Sequence, residues 1–396
     1  MNKITSSDTA RAVVRRNTQE VQGTGNFKVF EELFADDFVD YTAQPSMTPD
    51  RAGVSWRHLI CGYVDETDRP AAVTNMMTEQ KPLNSGFGSR TTAEEMIARR
   101  DLRGKVAVVT GGHAGLGLET TRVLSNAGAT VVSGSRDPRT AKVAVAKMKN
   151  LEVGQLDLAI PSSIDRFANQ FLNSNRTLDL LINNAGIMAT PLMRDERGYE
   201  MQFATNHLGH FQLTARLWAA LEKSGNARVV ALSSYGRSMG NVDFSDPNFN
   251  KRPYDKWVAY GQSKSANSLF AVELDKRGQQ HGISAFAAHP GGIVTDLIRY
   301  MTDEELSAWG IYRENGVAKT VPERFKTIEQ GATTTVWCAV SPQLNNKGGV
   351  YCADCDIAPM VPADSDLNSG VRSCAVDKAA AEALWILSEK LTGISE

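Results

Sequence analysis

The sequence predicts an α/β fold, in which a parallel, doubly wound sheet of seven strands follows a short, mostly helical extension. From Leu102 onward, short apolar runs alternate with helical segments, as in successive β–α–β units. A glycine-rich turn joins the first apolar run to the first helix within Lys105–Glu119, and polar motifs follow several later runs. Ligands of such sheets bind beyond the carboxyl ends of the strands, so the functional residues are expected at that edge.

The pattern assigns strands that mostly alternate with helices. The expected strands are 106–109, 130–133, 151–158, 178–183, 229–233, 284–289 and 349–352. The expected helices are 91–100, 139–148, 162–172, 199–221 and 257–276, together with one that opens after the glycine-rich turn. Parallel strands need long crossover connections, and the helices between the strands are expected to provide them. These helices are then expected on both faces of the sheet.

The glycine-rich turn carries Gly111, Gly115 and Gly117 in a Gly-x-x-x-Gly-x-Gly spacing. In a nucleotide-binding turn, such glycines permit a sharp bend, close approach of the backbone to a pyrophosphate, and tight helix–strand packing. The helix N-terminus then offers free N–H groups to the phosphates. Three glycines alone also suit an ordinary tight turn, and the later motifs favour the nucleotide.

Composition limits the possible partners and location. The 396 residues are 42% hydrophobic, which predicts a full core. Their net charge of −2 is near neutral, so neither nucleic acid nor an anionic membrane is expected as a partner. The chain has no long apolar run that would span a membrane, and its first residues lack the apolar core of a signal peptide. Five cysteines do not form a disulfide framework, so a cytoplasmic protein is expected.

Residues 1–77 are expected to form a separate segment and linker, ahead of a catalytic domain over 78–396. Residues 9–21 and 26–38 have helical spacing. The stretch 26–54 resembles the start of a SnoaL-like polyketide cyclase domain, but the match stops near Ala52 and omits the later strands of such domains. The segment is either a truncated remnant, used for dimerisation or docking, or a weakly structured extension.

Polar motifs follow three later strands and occupy two helices. They are Asn184-Ala185-Gly186 after the fourth strand, Asn206 in the next helix, Ser233-Ser234 after the fifth strand, Tyr260-x-x-x-Lys264 in a helix, and Pro290-Gly291 with Thr295 after the sixth strand. In this order they resemble the short-chain dehydrogenase/reductase (SDR) family, in the branch near retinol dehydrogenases and carbonyl reductases. The resemblance runs from about Gln80 to the C-terminus and implies a Rossmann-type fold.

The resemblance implies catalytic roles for Ser234, Tyr260, Lys264 and Asn206. Hydride transfer to a carbonyl leaves an alkoxide that needs a proton, which Tyr260 would supply. An adjacent ammonium favours a phenolate, so Lys264 is expected to lower the pKa of Tyr260 and to hold the nicotinamide ribose. Ser234 would polarise the substrate oxygen, and Asn206 would steady a relay water. Ser233 remains an alternative to Ser234, and Asn206 could instead cap a break in its helix.

The cofactor-binding residues implied by the resemblance lie at five strand ends and in the catalytic helix. They are Gly111, His113, Ala114, Gly115, Leu116, Gly117, Ser135, Arg136, Asp157, Leu158, Asn184, Ala185, Gly186, Tyr260, Lys264, Pro290, Gly291, Ile293 and Thr295. Three of them have simpler interpretations: Asp157 and Thr295 as helix caps, and Asn184 as a turn residue. Arg136 would pair with the phosphate of NADP, whereas the adjacent Asp137 keeps NAD possible.

Three further features bear on the substrate and on metals. The long interval between Ser234 and Tyr260 holds four aromatic residues that either line the substrate pocket or pack locally: Phe244, Phe249, Tyr254 and Trp257. Residues 292–321 are expected to form a substrate lid, and Trp309 and Tyr312 within it suggest a bulky apolar substrate. Cys352 and Cys355 form a C-x-x-C pair, but only the distant Cys338 and Cys374 could complete a zinc site. We expect ordinary thiols and no metal.

The sequence therefore predicts an NADP(H)-dependent oxidoreductase acting on a carbonyl or secondary alcohol of a lipophilic small molecule, as a monomer or homodimer. Two alternatives remain: a non-catalytic dinucleotide-binding regulator and, from the cyclase-like segment, a fused cyclase–reductase.

Overall fold

The computed structural model describes residues 78–314, 317–362 and 370–394. The helices expected over 9–21 and 26–38, and the cyclase-like stretch with them, lie outside the described residues. Both the nature of that segment and the boundary between 77 and 78 stay predictions.

One sheet dominates the described residues, and its strands are β1 (Val106–Thr110), β2 (Thr130–Ser135), β3 (Leu151–Gln155), β4 (Leu180–Asn183), β5 (Ala227–Leu232), β6 (Ile283–His289), β9 (Val350–Ala353) and β10 (Asp356–Ile357). They lie in the order β10-β9-β6-β5-β4-β1-β2-β3. The seven expected strands are confirmed and pair in parallel. The short β10 adds an antiparallel edge, reached through a two-residue turn in which Asp354 and Cys355 both have positive φ.

The helices of the described residues are α1 (Ala93–Ile97), α2 (Gly115–Asn126), α3 (Pro138–Ala144), α4 (Pro161–Asn173), α5 (Met201–Phe203), α6 (Gly209–Arg216), α7 (Trp218–Ser224), α8 (Lys256–Gly278), α9 (Asp303–Ala308), α10 (Ile328–Val340) and α11 (Lys378–Thr392). A π-helical turn, Ala204–Leu208, divides the helix expected over 199–221. A separate hairpin, β7 (Tyr312–Glu314) with β8 (Val317–Thr320), lies within the expected lid. None of these helices is long and apolar enough to cross a bilayer.

Alternation along β1 shows how the sheet is covered on both faces. Val106 and Val108 pack in one buried cluster with residues of α4, α6, α8 and α11. Ala107 and Val109 pack in another with residues of α1, α2 and α10. The sequence did not single out α10, because nine consecutive residues from Gly331 to Ala339 are buried and leave no polar stripe. It also did not single out α11.

Candidate active site

The turn between β1 and α2 has the geometry that its glycines predict. Gly111 and Gly115 have φ of +66° and +50°, and a Cβ on Gly117 would lie 2.3 Å from the carbonyl oxygen of Gly111. Helix α2 follows Ala114, which provides no side-chain cap, and its first turn holds no acidic residue. The first N–H groups of α2 are therefore open to an anion, and the turn fits a pyrophosphate.

Thr110, which sequence reasoning missed, joins this turn to the motif after β4. Its Oγ1 accepts hydrogen bonds from the backbone N–H groups of Asn184 and Ala185, both at 2.9 Å. The Asn184 side chain donates in return to the Thr110 carbonyl at 2.8 Å. Asn184 thus ties β4 to β1 and is more than a turn residue. Its place beside the adenine ribose stays a prediction. The available signal was a hydroxyl residue at the last position of a buried strand.

The structure brings Ser234, Tyr260 and Lys264 together. Tyr260 and Lys264 lie one turn apart on α8, and both are buried. The side chain of Ser234 lies close enough to the Tyr260 hydroxyl to lower its pKa as a hydrogen-bond partner. The Nζ atom of Lys264 lies 5.8 Å from the centre of the Tyr260 ring and donates to the carbonyl oxygen of Leu232 at 2.9 Å.

The adjacent Ser233 faces away from this group. Its hydroxyl donates to the carbonyl oxygen of Lys264 at 2.9 Å and contacts the hydroxyl of Ser268 at 2.8 Å. The Ser233 hydroxyl therefore connects the end of β5 to α8 by hydrogen bonds. Of the two serines, Ser234 is the one that reaches Tyr260.

Burial sets the electrostatics of the pair. It raises the pKa of Tyr260 to about 12, against a lowering effect of the Ser234 hydrogen bond. It lowers the pKa of Lys264 to about 8. The sequence predicts that Lys264 lowers the Tyr260 pKa, but in this structure the loss of water around the phenol is the largest effect and raises it. Tyr260 is a neutral phenol here, which is the form that can donate a proton.

Asn206 lies in the π-helical turn, so the break in its helix is real. Its amide accepts from Ile187 N–H and donates to the Ile187 carbonyl, both at 2.9 Å, and donates to Ser263 Oγ at 2.9 Å. Gly186 separates it from Lys264: a Cβ there would lie 3.1 Å from Asn206 Oδ1 and 3.6 Å from Lys264 Nζ. The Asn206 side chain therefore holds the loop after β4 beside the lysine.

His210, a second residue that sequence reasoning missed, connects Asn206 to Thr110. Its Nδ1 lies 2.9 Å from the carbonyl oxygen of Asn206, and its Nε2 lies 2.9 Å from Thr110 Oγ1. Because a carbonyl only accepts, Nδ1 must donate, and in the neutral ring Nε2 then accepts from the threonine hydroxyl. Burial lowers the pKa of His210 to about 4 and so keeps the ring neutral. The signal was a histidine one helical turn after Asn206.

The loop after β6 returns to the glycine-rich turn. Gly291 has a φ of +98°, and the Thr295 methyl lies 3.4 Å from where a Cβ on Gly115 would stand. Ile293 and Leu116 both lie against Gly331. Thr295 Oγ1 also accepts from the N–H of Leu297 at 3.3 Å, so the capping interpretation is correct without excluding contact with the cofactor.

Two neighbouring charged residues, Arg136 and Asp137, follow the end of β2. Asp137 caps α3 by accepting from Arg139 N–H at 3.0 Å and from Thr140 Oγ1 at 2.7 Å. Arg136 is exposed beside His113, whose pKa is lowered first by burial and then by the Arg136 charge. Both charges act on His113 of the glycine-rich turn, but the Asp137 carboxylate is also engaged as the cap of α3, whereas no such role is seen for Arg136 in the described part of the chain.

The loop after β3 holds Asp157 and Leu158. Asp157 Oδ1 accepts from the N–H of Ala159 at 3.0 Å, although Ile160, and not Asp157, is the cap of α4. Leu158 is buried against Gly209, where a Cβ would lie 2.3 Å from its carbonyl oxygen. Both stand at the expected edge of the sheet, and their contact with adenine stays a prediction.

An apolar cluster, which we call the Tyr260 cluster, surrounds the Tyr260 ring. Its buried members are Met188, Ala189, Tyr260, Ile298, Met301, Leu306 and Ile311, with Trp257 and Trp309 partly buried against them. Of the other aromatic residues before Tyr260, Phe249 and Tyr254 pack on each other at 5.2 Å, and Phe244 packs in a separate cluster. Tyr312 is 56% exposed and does not join the wall. Trp257 alone of the four aromatics reaches the Tyr260 cluster.

Of the C-x-x-C pair, Cys352 lies in β9 and Cys355 lies in the turn between β9 and β10. Cys338, Cys352 and Cys355 are buried free thiols, and burial raises the pKa of Cys355 to about 12. Across the described ranges no group of three or more His, Cys, Asp and Glu side chains is placed to hold a metal ion. Cys338 lies on α10, and Cys352 and Cys355 lie in the same buried cluster as residues of that helix.

Comparison with known proteins gives concordant matches. A family model described as short chain dehydrogenase matches residues 105–306. A probable oxidoreductase of Streptomyces antibioticus is 43% identical over 292 residues, which cover 72% of this chain and 96% of the relative. Retinol dehydrogenase 12 of Mus musculus is 38% identical over 299 residues, covering 74% and 87%. A solved structure of an uncharacterized Mycobacterium paratuberculosis protein superposes with a TM-score of 0.59 at 33% identity, covering 77% and 98%.

Proposed function

The chain belongs to the short-chain dehydrogenase family and is an NAD(P)-dependent oxidoreductase, and from that premise we propose its chemistry in finer terms. It uses NADP(H) to interconvert a carbonyl and an alcohol on a lipophilic small molecule, with Tyr260 as general acid and base. The observation that carries this proposal is the approach of the Ser234 side chain to the Tyr260 hydroxyl, beside an apolar cluster and one helical turn from Lys264.

In the reductive direction, a bound nicotinamide cofactor would supply the hydride. Ser234 donates a hydrogen bond to the carbonyl oxygen and stabilises the charge that develops on it. Tyr260 gives its phenolic proton to the same oxygen, and the Lys264 ammonium stabilises the phenolate that remains. Asn206 holds the backbone beside Lys264, so that the ammonium keeps its position. In oxidation, the phenolate takes the proton back from the alcohol.

The preference for NADP rests on the end of β2. Asp137 is engaged as the cap of α3 and carries a lowered pKa from its bonds to Thr140 and Arg139. The neighbouring Arg136 is exposed and can pair with a phosphate on the adenine ribose. NAD remains usable, since the rest of the site recognises groups that the two cofactors share.

A lipophilic substrate is supported by the surroundings of Tyr260. The Tyr260 cluster consists of aliphatic, methionine and tryptophan side chains, and two of its contributors, Trp257 and Trp309, lie 5.7 Å apart between their ring centres. Such a wall binds apolar surface and leaves the oxygen of the substrate as the group fixed by hydrogen bonds.

Tyr260→Phe is the direct test. It removes one hydroxyl and keeps the ring, so folding and NADPH binding should persist, while turnover falls by about 10²–10⁴-fold. Stopped-flow absorbance of NADPH against a panel of apolar ketones and alcohols measures turnover, and fluorescence titration measures binding. Lys264→Ala is the companion variant, because it should also weaken NADPH binding. Near-normal turnover in Tyr260→Phe would refute the role of Tyr260 as the proton donor. A wild-type protein that binds NADPH but turns over no carbonyl or alcohol would instead favour a dinucleotide-binding regulator.

A further inference from the structure

One carboxylate joins the lid to the helix that carries Tyr260. Glu305, in the lid helix α9, accepts from Lys256 Nζ at 2.7 Å and from Trp257 Nε1 at 3.1 Å. Lys256 and Trp257 form the first turn of α8, directly ahead of Tyr260. Although burial raises the pKa of Glu305, the hydrogen bonds from Lys256, Thr302 and Trp257 bring it below its usual value.

The same carboxylate also has a purely local role. It accepts from the backbone N–H of Thr302 at 2.9 Å and so completes a capping box at the start of α9. That role needs neither Lys256 nor Trp257, and a capping glutamate needs no partner on another element. The contacts to α8 are therefore a second function of the side chain.

These contacts hold a wall of the substrate site. Leu306, the next residue of α9, is buried in the Tyr260 cluster, and Trp309 packs on Trp257 at its edge. Arg324 donates a hydrogen bond to the Trp309 carbonyl and fixes the far end of α9. On the side facing α8, the bonds of Glu305 to Lys256 and Trp257 are the polar attachment, and the remaining contacts are apolar.

We propose that Glu305 is a positioning residue of the substrate site, which holds the lid helix against the first turn of α8 and so closes the apolar wall beside Tyr260. The role of Glu305 in substrate binding rests on the proposed function, whereas its contacts with Lys256 and Trp257 do not depend on that function. Loosening it exposes the wall and weakens the binding of an apolar substrate, while the cofactor contacts at the glycine-rich turn stay unchanged.

Lys256→Met tests the attachment from outside the lid. The substitution keeps an apolar side chain and leaves the capping box of α9 intact. It removes the ammonium, which bonds Glu305 and lies 5.7 Å from the centre of the Trp257 ring. Glu305→Gln is the reciprocal variant, because glutamine also serves in a capping box. Glu304→Gln is the matched control, since Glu304 lies on the same helix turn, is exposed and makes no hydrogen bond or ion pair with α8 among the described residues. Hydrogen exchange of the peptide over 302–311 is measured first, followed by KM, kcat and NADPH affinity.

We expect exchange in that peptide to accelerate about tenfold in Lys256→Met and in Glu305→Gln but not in the control. KM for an apolar substrate should rise by a similar factor, with kcat and NADPH affinity near wild type. Unchanged exchange in Lys256→Met would overturn the proposal, as would an equal change in the control. If the wild type turns over no carbonyl or alcohol, the proposed function fails, and the exchange result still decides whether the attachment exists.

Discussion

Replacing Gly236 by alanine tests whether the position of the Tyr260 ring limits catalysis. Gly236 lies in the 3₁₀ turn after Ser234, and its N–H donates to Ser234 Oγ at 3.0 Å. A Cβ at this position would lie 2.6 Å from Cε1 and 2.9 Å from Cδ1 of Tyr260. The new methyl group would thus be directed at the Tyr260 ring.

The size of the effect follows from these distances. Ordinary contacts of a Cβ begin at 3.4 Å, so a contact of 2.6 Å requires a displacement of about 0.8 Å, the difference between the two. Met239, 3.1 Å away, is an exposed flexible side chain and can yield, but Tyr260 is buried. Overpacking of this kind costs about 1–3 kcal/mol. A misplacement of about 1 Å in a catalytic site lowers the rate by about 10²-fold.

Gly236→Ala should therefore lose about 10²-fold in kcat while NADPH affinity remains within a few-fold of wild type. Urea denaturation measures the free energy of unfolding, and stopped-flow absorbance measures turnover. Gly88→Ala is the control, because a Cβ there would meet nothing within 4 Å. Wild-type turnover in a folded Gly236→Ala protein would show that the ring tolerates displacement, and the reasoning from its position would be wrong.

Three further outcomes are expected. Arg136→Ala should weaken NADPH binding at least about tenfold more than NADH binding in parallel titrations, because only NADPH loses a charge-assisted contact; equal losses would exclude Arg136 as the phosphate ligand. Burial lowers the pKa of Lys264 to about 8, below that of an unfolded lysine, so the unfolded chain binds the extra proton between pH 8 and 10. Stability in urea should therefore rise with pH over that window, and Lys264→Met should reduce the slope; identical slopes would contradict the shift. Deletion of residues 1–77 should leave NADPH affinity intact, because every expected cofactor residue lies later in the chain; loss of affinity in a folded truncation would disprove the boundary.

The sequence was sufficient for the parallel strands and for the edge of the sheet at which the polar motifs meet. These features depend on local properties: apolar runs of strand length, glycines that a sharp turn requires, and a four-residue step that places Tyr260 and Lys264 on one helix face. The antiparallel β10 escaped prediction because two residues carry no periodicity, and its turn uses Asp354 and Cys355 at positive φ where glycine or asparagine is usual.

Only the tertiary structure decided which of several equivalent side chains reaches the site. Ser233 and Ser234 have the same chemistry, and their roles differ because one hydroxyl faces Ser268 on α8 and the other faces Tyr260. Asp137 serves as a helix cap, which leaves Arg136 as the free charge at the end of β2. These choices depend on contacts between residues far apart in the chain or on the direction of a side chain at a strand end. Spacing along the sequence specifies neither these contacts nor these directions. Neighbouring residues of a strand point to opposite faces of the sheet, and the residues they contact belong to other elements of the fold.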